Sequence, residues 1–317
     1  MLVHQLFSFW LEMSVRISEC LESSASELSV ARRSGLAAVR ALYCEVALEP
    51  KPGLVSFRDE GSHRDMNSTT FLRSLFALRH YFPGMVLAGQ QGQPFSVLEA
   101  LGRRAETRML TATKGVNTHR GAVFGLGLLC ASAGQMHAQG LPFSAQHLRA
   151  VLLSTWGEAL ACRARAAKLT PPRSNGQRVA QRYGMRSAGD EAAQAFPTLF
   201  DVTLPALYAA LDAGACARAA RVQALFATMA VLDDTNNVHR GGLAGLRFVQ
   251  ASARRFIEAG GVHQTDWLTE ARSLHAAFVQ RLLSPGGSAD VLASACWVAE
   301  LAEQPRRPQA CVASLMA

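Results

Sequence analysis

Apolar side chains recur at helical spacing along almost the whole chain of 317 residues. In SVLEALGRRAETRML, for example, Val97, Leu98, Leu101, Ala105 and Met109 fall on one stripe, and the arginines fall elsewhere. Similar stripes cover residues 28–47, 67–82, 121–138, 144–167, 198–213, 217–232, 241–259, 265–283 and 288–303. We find no convincing alternation of period two, the pattern that a half-buried strand would show. The sequence therefore predicts an all-α fold, a single multi-helix orthogonal bundle with functional polar loops at helix N-termini.

The composition is consistent with a folded domain of this kind. Hydrophobic residues make up 49% of the chain and charged residues only 18%, which favours a sizeable core over disorder. We expect residues 28–303 to form one helical domain, preceded by a partly disordered N-terminal extension at 1–27 and followed by a flexible tail at 304–317. Met13 is an alternative start of the chain.

The charge is basic and comes almost entirely from arginine. The net charge is +8, and lysine occurs only at Lys51, Lys114 and Lys168. Because a guanidinium group binds phosphate oxygens in pairs, this composition favours phosphate-bearing ligands, with genomic base composition as the alternative explanation. The basic residues are spread along the chain and aromatic residues make up 7%, which argues against a nucleic-acid partner.

The sequence also bears on the location of the protein. No uncharged apolar run reaches the roughly 18 residues that a membrane span requires, so we expect no membrane segment. The seven cysteines show no Cys-x-x-Cys spacing, and this indicates free thiols in a reducing, cytoplasmic compartment.

One polar pattern, Asn-x-His-Arg-Gly-x-x-x-Gly-Leu, occurs twice at the start of an apolar stripe. The first copy lies in GVNTHRGAVFGLG and the second in DDTNNVHRGGLAGL. Asn117 and Asn237 are good helix-capping residues, and a helix N-terminus beside Arg120 or Arg240 attracts anions. The repeat therefore predicts two anion-binding helix starts, which could face each other across one pocket. Ordinary helix capping is the alternative.

Carboxylates and histidines near the repeat add candidate metal ligands and bases. Asp233 and Asp234 directly precede the second copy, and paired carboxylates beside amide side chains suit Mg²⁺. The alternative is an acidic pair that interacts favourably with the helix dipole. In GSHRDM, His63 and Asp65 could serve as a base and a metal ligand, or belong to a helix N-terminal box that includes Asn67.

Two further loops carry charged residues in constrained surroundings. Lys51 in EPKPGL lies between two prolines, which would hold its ammonium group in a fixed place unless it is a solvated loop lysine. In the long stretch 170–197, Arg186 and Glu191 belong to a loop with charges of both signs. Such a loop could clamp phosphates or close over a site, or form surface ion pairs that contribute little.

Five of these stretches, taken in order, resemble the triphosphoribosyl-dephospho-CoA synthase family. They are EVALEPKPGLV, GSHRDM, GVNTHRGAVF, RYGMRSAGDEAAQAFP and DDTNNVHRGG, which together run from Glu45 to Gly242. GLVS followed by GSHRDM is more similar to the branch that serves malonate decarboxylase than to the citrate lyase branch, where Asp is expected in place of Ser56. The chain departs from the family pattern at Glu49, where Thr is expected, and at Ala195, where Gly is expected.

The resemblance implies transfer of the 5-triphosphoribosyl group of ATP to the 2′-hydroxyl of 3′-dephospho-CoA, with release of adenine. The product would be the prosthetic-group precursor of the acyl-carrier subunit of malonate decarboxylase, for use by a holo-acyl-carrier-protein synthase. Breaking the ribose–adenine bond builds positive charge at the sugar carbon, as in glycoside transfer, so a carboxylate should lie nearby. A base must also accept the hydroxyl proton, water must be excluded, and Mg²⁺ and arginines should hold the triphosphate.

The predicted site residues fall into three groups. Candidate catalytic residues are Glu45, His63, Asp65, Glu191 and Asp234. Candidate substrate contacts are Lys51, Asn117, His119, Arg120, Arg186, Asn236, Asn237 and Arg240. Candidate Mg²⁺ ligands are Asp65, Asp233 and Asp234. Either His63 or Glu45 would be the base, and Glu191 would close the loop over the site. His119 and His239 could instead only fix the loops in place.

Other functions stay open at this point. The same reaction could serve citrate lyase, or the chain could be a Mg²⁺-dependent nucleotide phosphohydrolase that releases phosphate or pyrophosphate instead of adenine. A non-catalytic helical partner protein is a third alternative. The oligomeric state also stays open, with a homodimer as one candidate.

Overall fold

The structure, a computed structural model, describes residues 29–303, and in this range the chain forms helices and connecting loops without any β-strand. The predicted all-α class is confirmed. The predicted N-terminal extension at 1–27, Met13 within it, and the predicted tail at 304–317 lie outside the described residues.

The helices follow one another along the chain with short connections. The first, α1, covers residues 29–47. It is followed by α2 (Ser68–Leu78), α3 (Tyr81–Gln90), α4 (Phe95–Ala112), α5 (Arg120–Ala138), α6 (Ala145–Leu169), α7 (Asn175–Tyr183) and α8 (Ala188–Ala193). After a π-helical turn at Thr198–Thr203 come α9 (Leu204–Asp212), α10 (Ala217–Val231), α11 (Thr235–Glu258), a 3₁₀ turn at Gly261–His263, α12 (Trp267–Gln280) and α13 (Gly286–Glu303).

Helix α5 lies in the interior of the bundle. Its residues are apolar or small on nearly every face, and a helix of that kind is stable only when other helices surround it. Glycines allow α3 to approach it closely, since a Cβ on Gly89 would lie 1.9 Å from the carbonyl oxygen of Ala131. A cluster of buried apolar side chains extends from Ala31 in α1 to Leu301 in α13. The start of α5, which carries the first copy of the repeat, is therefore held firmly by the core.

The stretch predicted as one long polar loop, residues 170–197, is only partly a loop. It contains α7 and α8, and each begins at a serine whose hydroxyl accepts a hydrogen bond from a backbone N–H of the first turn. Ser174 accepts from Gln177 at 3.1 Å, and Ser187 accepts from Asp190 at 3.2 Å. The loop prediction was wrong here because these capping residues stabilise helices too short to show a clear apolar stripe.

Helix α7 packs on the second copy of the repeat. Val179 of α7 forms a small apolar cluster with Val238 and Leu246 of α11, separate from the main core. The side chain of His239 contacts Asn175 at the start of α7, with 3.1 Å between the ring nitrogen Nε2 and the amide Nδ2. The contact supports the alternative that His239 fixes these segments in place.

Two single-residue conformations shape the chain near the repeat. Gly242 has φ 64° and ψ −170°, which interrupts α11 and begins a second helical stretch inside it. Ala195, where the family resemblance leads us to expect glycine, has φ 54° and so lies in the left-handed region. That conformation costs an L-residue roughly 1–2 kcal/mol.

Among the described helices, none combines the length and the apolar composition that crossing a membrane requires.

Candidate active site

The second copy of the repeat is joined to the N-terminus of α13 through Asp234. This residue is the N-cap of α11 and accepts a hydrogen bond from the backbone N–H of Asn236 at 3.0 Å. Its other carboxylate oxygen accepts from the backbone N–H of Ser288 at 3.0 Å. Burial raises the pKa of Asp234, and the N–H groups of Asn236, Ser288 and Gly287 oppose the shift. One carboxylate thus fixes the first turns of two helices.

Asn237 does not cap a helix, so that prediction was wrong. Asp234 takes the capping position, and Asn237 lies inside the first turn of α11 with its side chain fully buried. Neither its Oδ1 nor its Nδ2 has a hydrogen-bond partner within residues 29–303. A buried amide without partners costs about 1–3 kcal/mol per unmade hydrogen bond, so native proteins rarely retain one without a ligand or water to complete it.

The first copy of the repeat begins α5 as predicted. The Oδ1 atom of the exposed Asn117 accepts a hydrogen bond from the backbone N–H of Arg120 at 3.3 Å. The Arg120 guanidinium lies 3.3 Å from a carboxylate oxygen of Glu106 and is partly exposed. An arginine held in this way at a helix N-terminus leaves donors that can bind an anion.

His119 is the buried member of the first copy. Its Nδ1 lies 2.6 Å from the Ser74 hydroxyl, and its Nε2, although shielded from solvent, has no partner in the described part of the chain. Burial, together with the nearby Lys51 ammonium, lowers the pKa of His119 to about 3. The ring is therefore neutral at physiological pH, with one nitrogen available for a hydrogen bond to a ligand.

Lys51 is not presented to solvent as a phosphate contact, because its side chain is buried. Its Nζ donates hydrogen bonds to the backbone oxygen of Glu45 at 2.6 Å and to the Glu45 carboxylate at 2.5 Å. Burial lowers the pKa of Lys51, and the carboxylate of Glu45 opposes that shift. The two predicted site residues form an internal ion pair that engages Oε1 of Glu45.

His63, Asp65 and Arg240 come together at the loop before α13. His63 Nε2 lies 2.8 Å from the Ser284 hydroxyl, and Arg240 Nη2 lies 2.9 Å from His63 Nδ1. Because the guanidinium can only donate, Nδ1 accepts and the ring proton belongs on Nε2. Arg240 also donates to the backbone oxygen of Ser62 at 2.9 Å, and burial and Arg240 together lower the pKa of His63. The imidazole is held on both nitrogens, and it could act as a base only if Arg240 released Nδ1.

Glu191 and Arg186 bind each other. The distance between Arg186 Nη2 and Glu191 Oε1 is 2.6 Å, and Glu191 also accepts hydrogen bonds from the backbone and hydroxyl of Thr198 at 3.2 and 3.1 Å. The carboxylate is buried and holds the start of the π-helical turn. Both carboxylate oxygens of Glu191 are therefore bonded to neighbouring residues of the same segment. This segment includes α8, which packs on α5 and α6.

The three predicted Mg²⁺ ligands have different surroundings. Asp65 and Asp233 are exposed, whereas Asp234 is buried with its oxygens bound to backbone N–H groups. No group of three or more His, Cys, Asp or Glu side chains within residues 29–303 is arranged to hold a metal ion. Asp65 and Asp233 keep oxygens that could join a Mg²⁺ brought by a phosphate ligand.

The stretch SPGGSAD, residues 284–290, was missed in the sequence although it meets both copies of the repeat. A Cβ on Gly287 would lie 3.1 Å from the carboxylate of Asp234, and a Cβ on Gly121 would lie 1.9 Å from Asp290 Oδ2. Burial raises the pKa of Asp290 well above its usual value; the carboxylates of Glu45 and Asp234 add to this shift and the Ala122 N–H opposes it. The signal that could have revealed this stretch is a Pro-Gly-Gly-Ser start followed by an acid inside an apolar stripe.

These contacts define one candidate active site around the first turn of α13. Its interior holds the neutral ring of His119, the unpartnered amide of Asn237 and the carboxylate of Asp290. Exposed side chains of both copies of the repeat, among them Asn117 and Asn236, lie at the surface nearby. Basic and amide side chains thus lie at the outside of this site, and neutral or acidic groups lie inside it.

Comparisons with known proteins agree with this chemistry. Residues 31–308 match the family described as ATP:dephospho-CoA triphosphoribosyl transferase. The chain is similar to the probable 2-(5″-triphosphoribosyl)-3′-dephosphocoenzyme-A synthase of Acinetobacter calcoaceticus, with 40% identity over 262 residues (83% of this chain and 88% of the relative). Its similarity to the protein with the same printed name from Vibrio cholerae serotype O1 (strain M66-2) is 37% over 293 residues (90% and 94%). The 2-(5″-triphosphoribosyl)-3′-dephosphocoenzyme-A synthase of Klebsiella pneumoniae is 37% identical over 260 residues (80% and 86%). No solved structure matches the chain.

Proposed function

Since the chain belongs to the ATP:dephospho-CoA triphosphoribosyl transferase family and is a transferase of that kind, we propose that it makes the prosthetic-group precursor of malonate decarboxylase. The reaction joins the triphosphoribosyl group of ATP to dephospho-CoA. Its use by malonate decarboxylase is supported by the stretch GLVS, with Ser56 where the citrate lyase branch leads us to expect Asp. Both substrates are made and used inside cells, and we accordingly propose a cytoplasmic location.

The observation that best supports this function is the set of unpartnered polar atoms in the interior. His119 Nε2 and both polar atoms of Asn237 are buried and unbonded within the described chain. A ribose presents hydroxyl groups and a ring oxygen, which are the partners such atoms lack. We propose that His119 and Asn237 orient the ribose of ATP. Hydrogen bonds to the ribose would offset the free-energy cost of burying these polar atoms without partners.

The exposed members of the repeat would bind the phosphates. Arg120 and Asn117 lie at the start of α5, and Arg240 and Asn236 belong to the second copy of the repeat. We propose that the exposed side chains of each copy bind the phosphates of one of the two phosphate-bearing substrates. Binding losses confined to the same substrate in Asn117→Ala and Asn236→Ala would contradict this assignment.

The predicted carboxylate ligands suit Mg²⁺ only when the ion is bound to the triphosphate of the substrate as well. Magnesium commonly keeps several waters and binds one or two carboxylates together with substrate phosphates. Asp65 and Asp233 are the predicted ligands with free oxygens, and they would hold the ion. When bound, Mg²⁺ would neutralise part of the triphosphate charge. Asp234 is excluded from this role in our proposal because its oxygens bind α11 and α13.

A product assay tests the proposed function. The purified protein would be incubated with Mg-ATP and 3′-dephospho-CoA, and the mixture separated by chromatography with mass detection. We expect free adenine and the triphosphoribosyl adduct in equal amounts, and adenine only when dephospho-CoA is present. The appearance of ADP, AMP or phosphate without adenine would overturn the proposal and favour the nucleotide phosphohydrolase.

The role in malonate use needs a separate test, because the citrate lyase precursor is the same molecule. A strain that lacks this gene should lose growth on malonate and regain it when the wild-type chain is supplied. A strain that still grows on malonate but no longer uses citrate would assign the product to citrate lyase.

A further inference from the structure

The carboxylates predicted to act in the reaction are either engaged by other groups or exposed. Asp234 binds backbone N–H groups of two helices, Glu45 binds Lys51, and Glu191 binds Arg186 and Thr198. A carboxylate that must accept a proton or face a developing positive charge needs an oxygen free for the substrate. Of these three buried carboxylates only Glu45 keeps an oxygen without a bond, and its charge is balanced by Lys51. An acid without a cationic partner is therefore the better candidate for the base.

Asp290 is an acid of the required kind. It lies one turn into α13, partly buried, and no Lys, Arg or His nitrogen within residues 29–303 forms an ion pair with it. Its carboxylate is directed at the start of α5, where the absence of a side chain on Gly121 leaves space for it. His119, whose Nε2 is buried and unpartnered, is two residues away from Gly121 along the chain.

From this placement we propose that Asp290 is a catalytic residue, the base that accepts the proton from the 2′-hydroxyl of dephospho-CoA. The inference rests on the proposed function and names a residue that the sequence analysis did not. A base works best when its pKa is close to the working pH. Burial and the neighbouring carboxylates, which raise the pKa of Asp290, move it in that direction.

The step balances without any further reactant. The O–H bond of the 2′-hydroxyl breaks, and its proton passes to an Asp290 oxygen. The oxygen electron pair forms the new bond to the ribose carbon that carries adenine, while the carbon–nitrogen bond to adenine breaks. Adenine leaves with that bonding pair and takes a proton from water, and Asp290 later returns its proton to water. No oxidation or reduction takes place.

Asp234 has a different part in this proposal, that of a positioning residue. It holds Ser288 and Gly287 in the first turn of α13, and so it fixes where Asp290 lies. Removing its charge should weaken the fold and displace Asp290. Replacing Asp290 itself by the neutral isostere should leave the fold intact, because the Oδ1 of asparagine can still accept the hydrogen bond that the Ala122 N–H donates to Asp290.

The decisive experiment compares Asp290→Asn with Asp234→Asn in the full chain, using the adenine and adduct assay. We expect Asp290→Asn to lower kcat by about 10²-fold or more, with both KM values and the melting temperature close to those of the wild type. The acid limb of the kcat–pH profile should vanish in Asp290→Asn and shift in Asp290→Glu. Asp234→Asn should instead lower the melting temperature. A loss of kcat under about threefold in a folded Asp290→Asn would overturn the proposal.

A matched pair of glycine variants tests the same placement without changing any charge. Gly121→Ala puts a Cβ 1.9 Å from Asp290 Oδ2, whereas Gly125→Ala, one turn later in α5, meets only the Phe196 ring at 3.7 Å. We expect a large loss of kcat in Gly121→Ala and almost none in Gly125→Ala. Equal activities in the two variants would show that Asp290 does not act where the structure places it.

Failure of the proposed function can be told apart from failure of this inference. A wild-type chain that forms no adduct overturns both, whatever Asp290→Asn does. A wild-type chain that forms the adduct, beside an equally active Asp290→Asn, overturns only the role of Asp290. In that case the pH profile would still contain its acid limb, and the base would have to be sought at His63.

Discussion

His119 should make the stability of the protein depend on pH between about 7 and 5. The ring is buried and neutral, and its pKa in the folded state is about 3. In the unfolded chain the pKa returns to roughly 6.5. As the pH falls below that value, the unfolded state binds a proton that the folded state cannot. Stability is therefore fully present above pH 6.5 and is lost progressively as the pH falls towards 3.

The size of the effect follows from the gap between the two pKa values. Each pH unit between them corresponds to about 1.4 kcal/mol of unfolding free energy. Between pH 7.5 and pH 5.0 the loss should therefore come to about 2 kcal/mol. For a chain of 317 residues that corresponds to a decrease of about 3 °C in melting temperature.

Urea unfolding of the wild type and His119→Asn at pH 7.5 and pH 5.0 measures this contribution. Asparagine places an amide near the position of Nδ1, so the contact with Ser74 can be kept. Asp234 and Asp290, whose pKa values are raised, act on both proteins alike and cancel in the comparison. The wild type should lose about 2 kcal/mol more than His119→Asn between the two pH values.

The control is His80→Asn, since His80 is exposed at the start of α3 and makes no side-chain capping bond. This variant should keep the pH dependence of the wild type. If His119→Asn lost as much stability at pH 5.0 as the wild type does, the ring would have to be accessible to protons in the folded state. The account of a neutral, ligand-facing His119 would then be wrong.

Further variants test the interior and the backbone. Lys51→Met leaves the Glu45 carboxylate buried without its cation, and breaking such a pair should cost about 3–5 kcal/mol; adding Glu45→Gln should recover most of that loss in urea unfolding. Gly242→Ala forces an L-residue to φ 64° and ψ −170° and should cost about 1–3 kcal/mol. Gly84→Ala, where the new Cβ meets open space in α3, should be neutral or stabilise the protein by up to about 1 kcal/mol. Equal stabilities of the two alanine variants would refute the break in α11.

The helical class could be predicted because apolar periodicity is a local property of the sequence. The residues at which helices begin and end were harder to predict. The stripe at 67–82 is divided between α2 and α3, which the apolar pattern alone does not reveal. The stretch 170–197 was taken for a loop, although serine caps start two short helices in it. The capping hydrogen bonds are local and could in principle be read from the sequence. The stretch is rich in Arg, Gly and Ser, however, and therefore shows no apolar stripe that would indicate a helix.

Identical residues in the two copies of the repeat have different structural roles because their flanking residues differ. The N-cap of α5 is His119, and Asn117, two residues before it, accepts a hydrogen bond from the first N–H of the helix. Asn237 is buried inside α11 because Asp234, three residues earlier, takes the capping position. Arg120 binds a side chain of α4, whereas Arg240 binds the backbone of Ser62 and the ring of His63. The sequence predicted two helix starts correctly, but it could not show which members of each copy would face a ligand.

The contact between Gly121 and Asp290 explains why the most informative acid was missed. The missing side chain of Gly121 leaves room for another group, and the group that fills it belongs to the last described helix. Asp290 was counted within an apolar stripe, where one acid usually marks a solvent-facing position. Only the packing of α13 against α5 turns that position inward, and the same packing brings Asp234 to the start of α13. The two copies of the repeat are thus related through a third segment, and a comparison of the copies with each other could not reveal it.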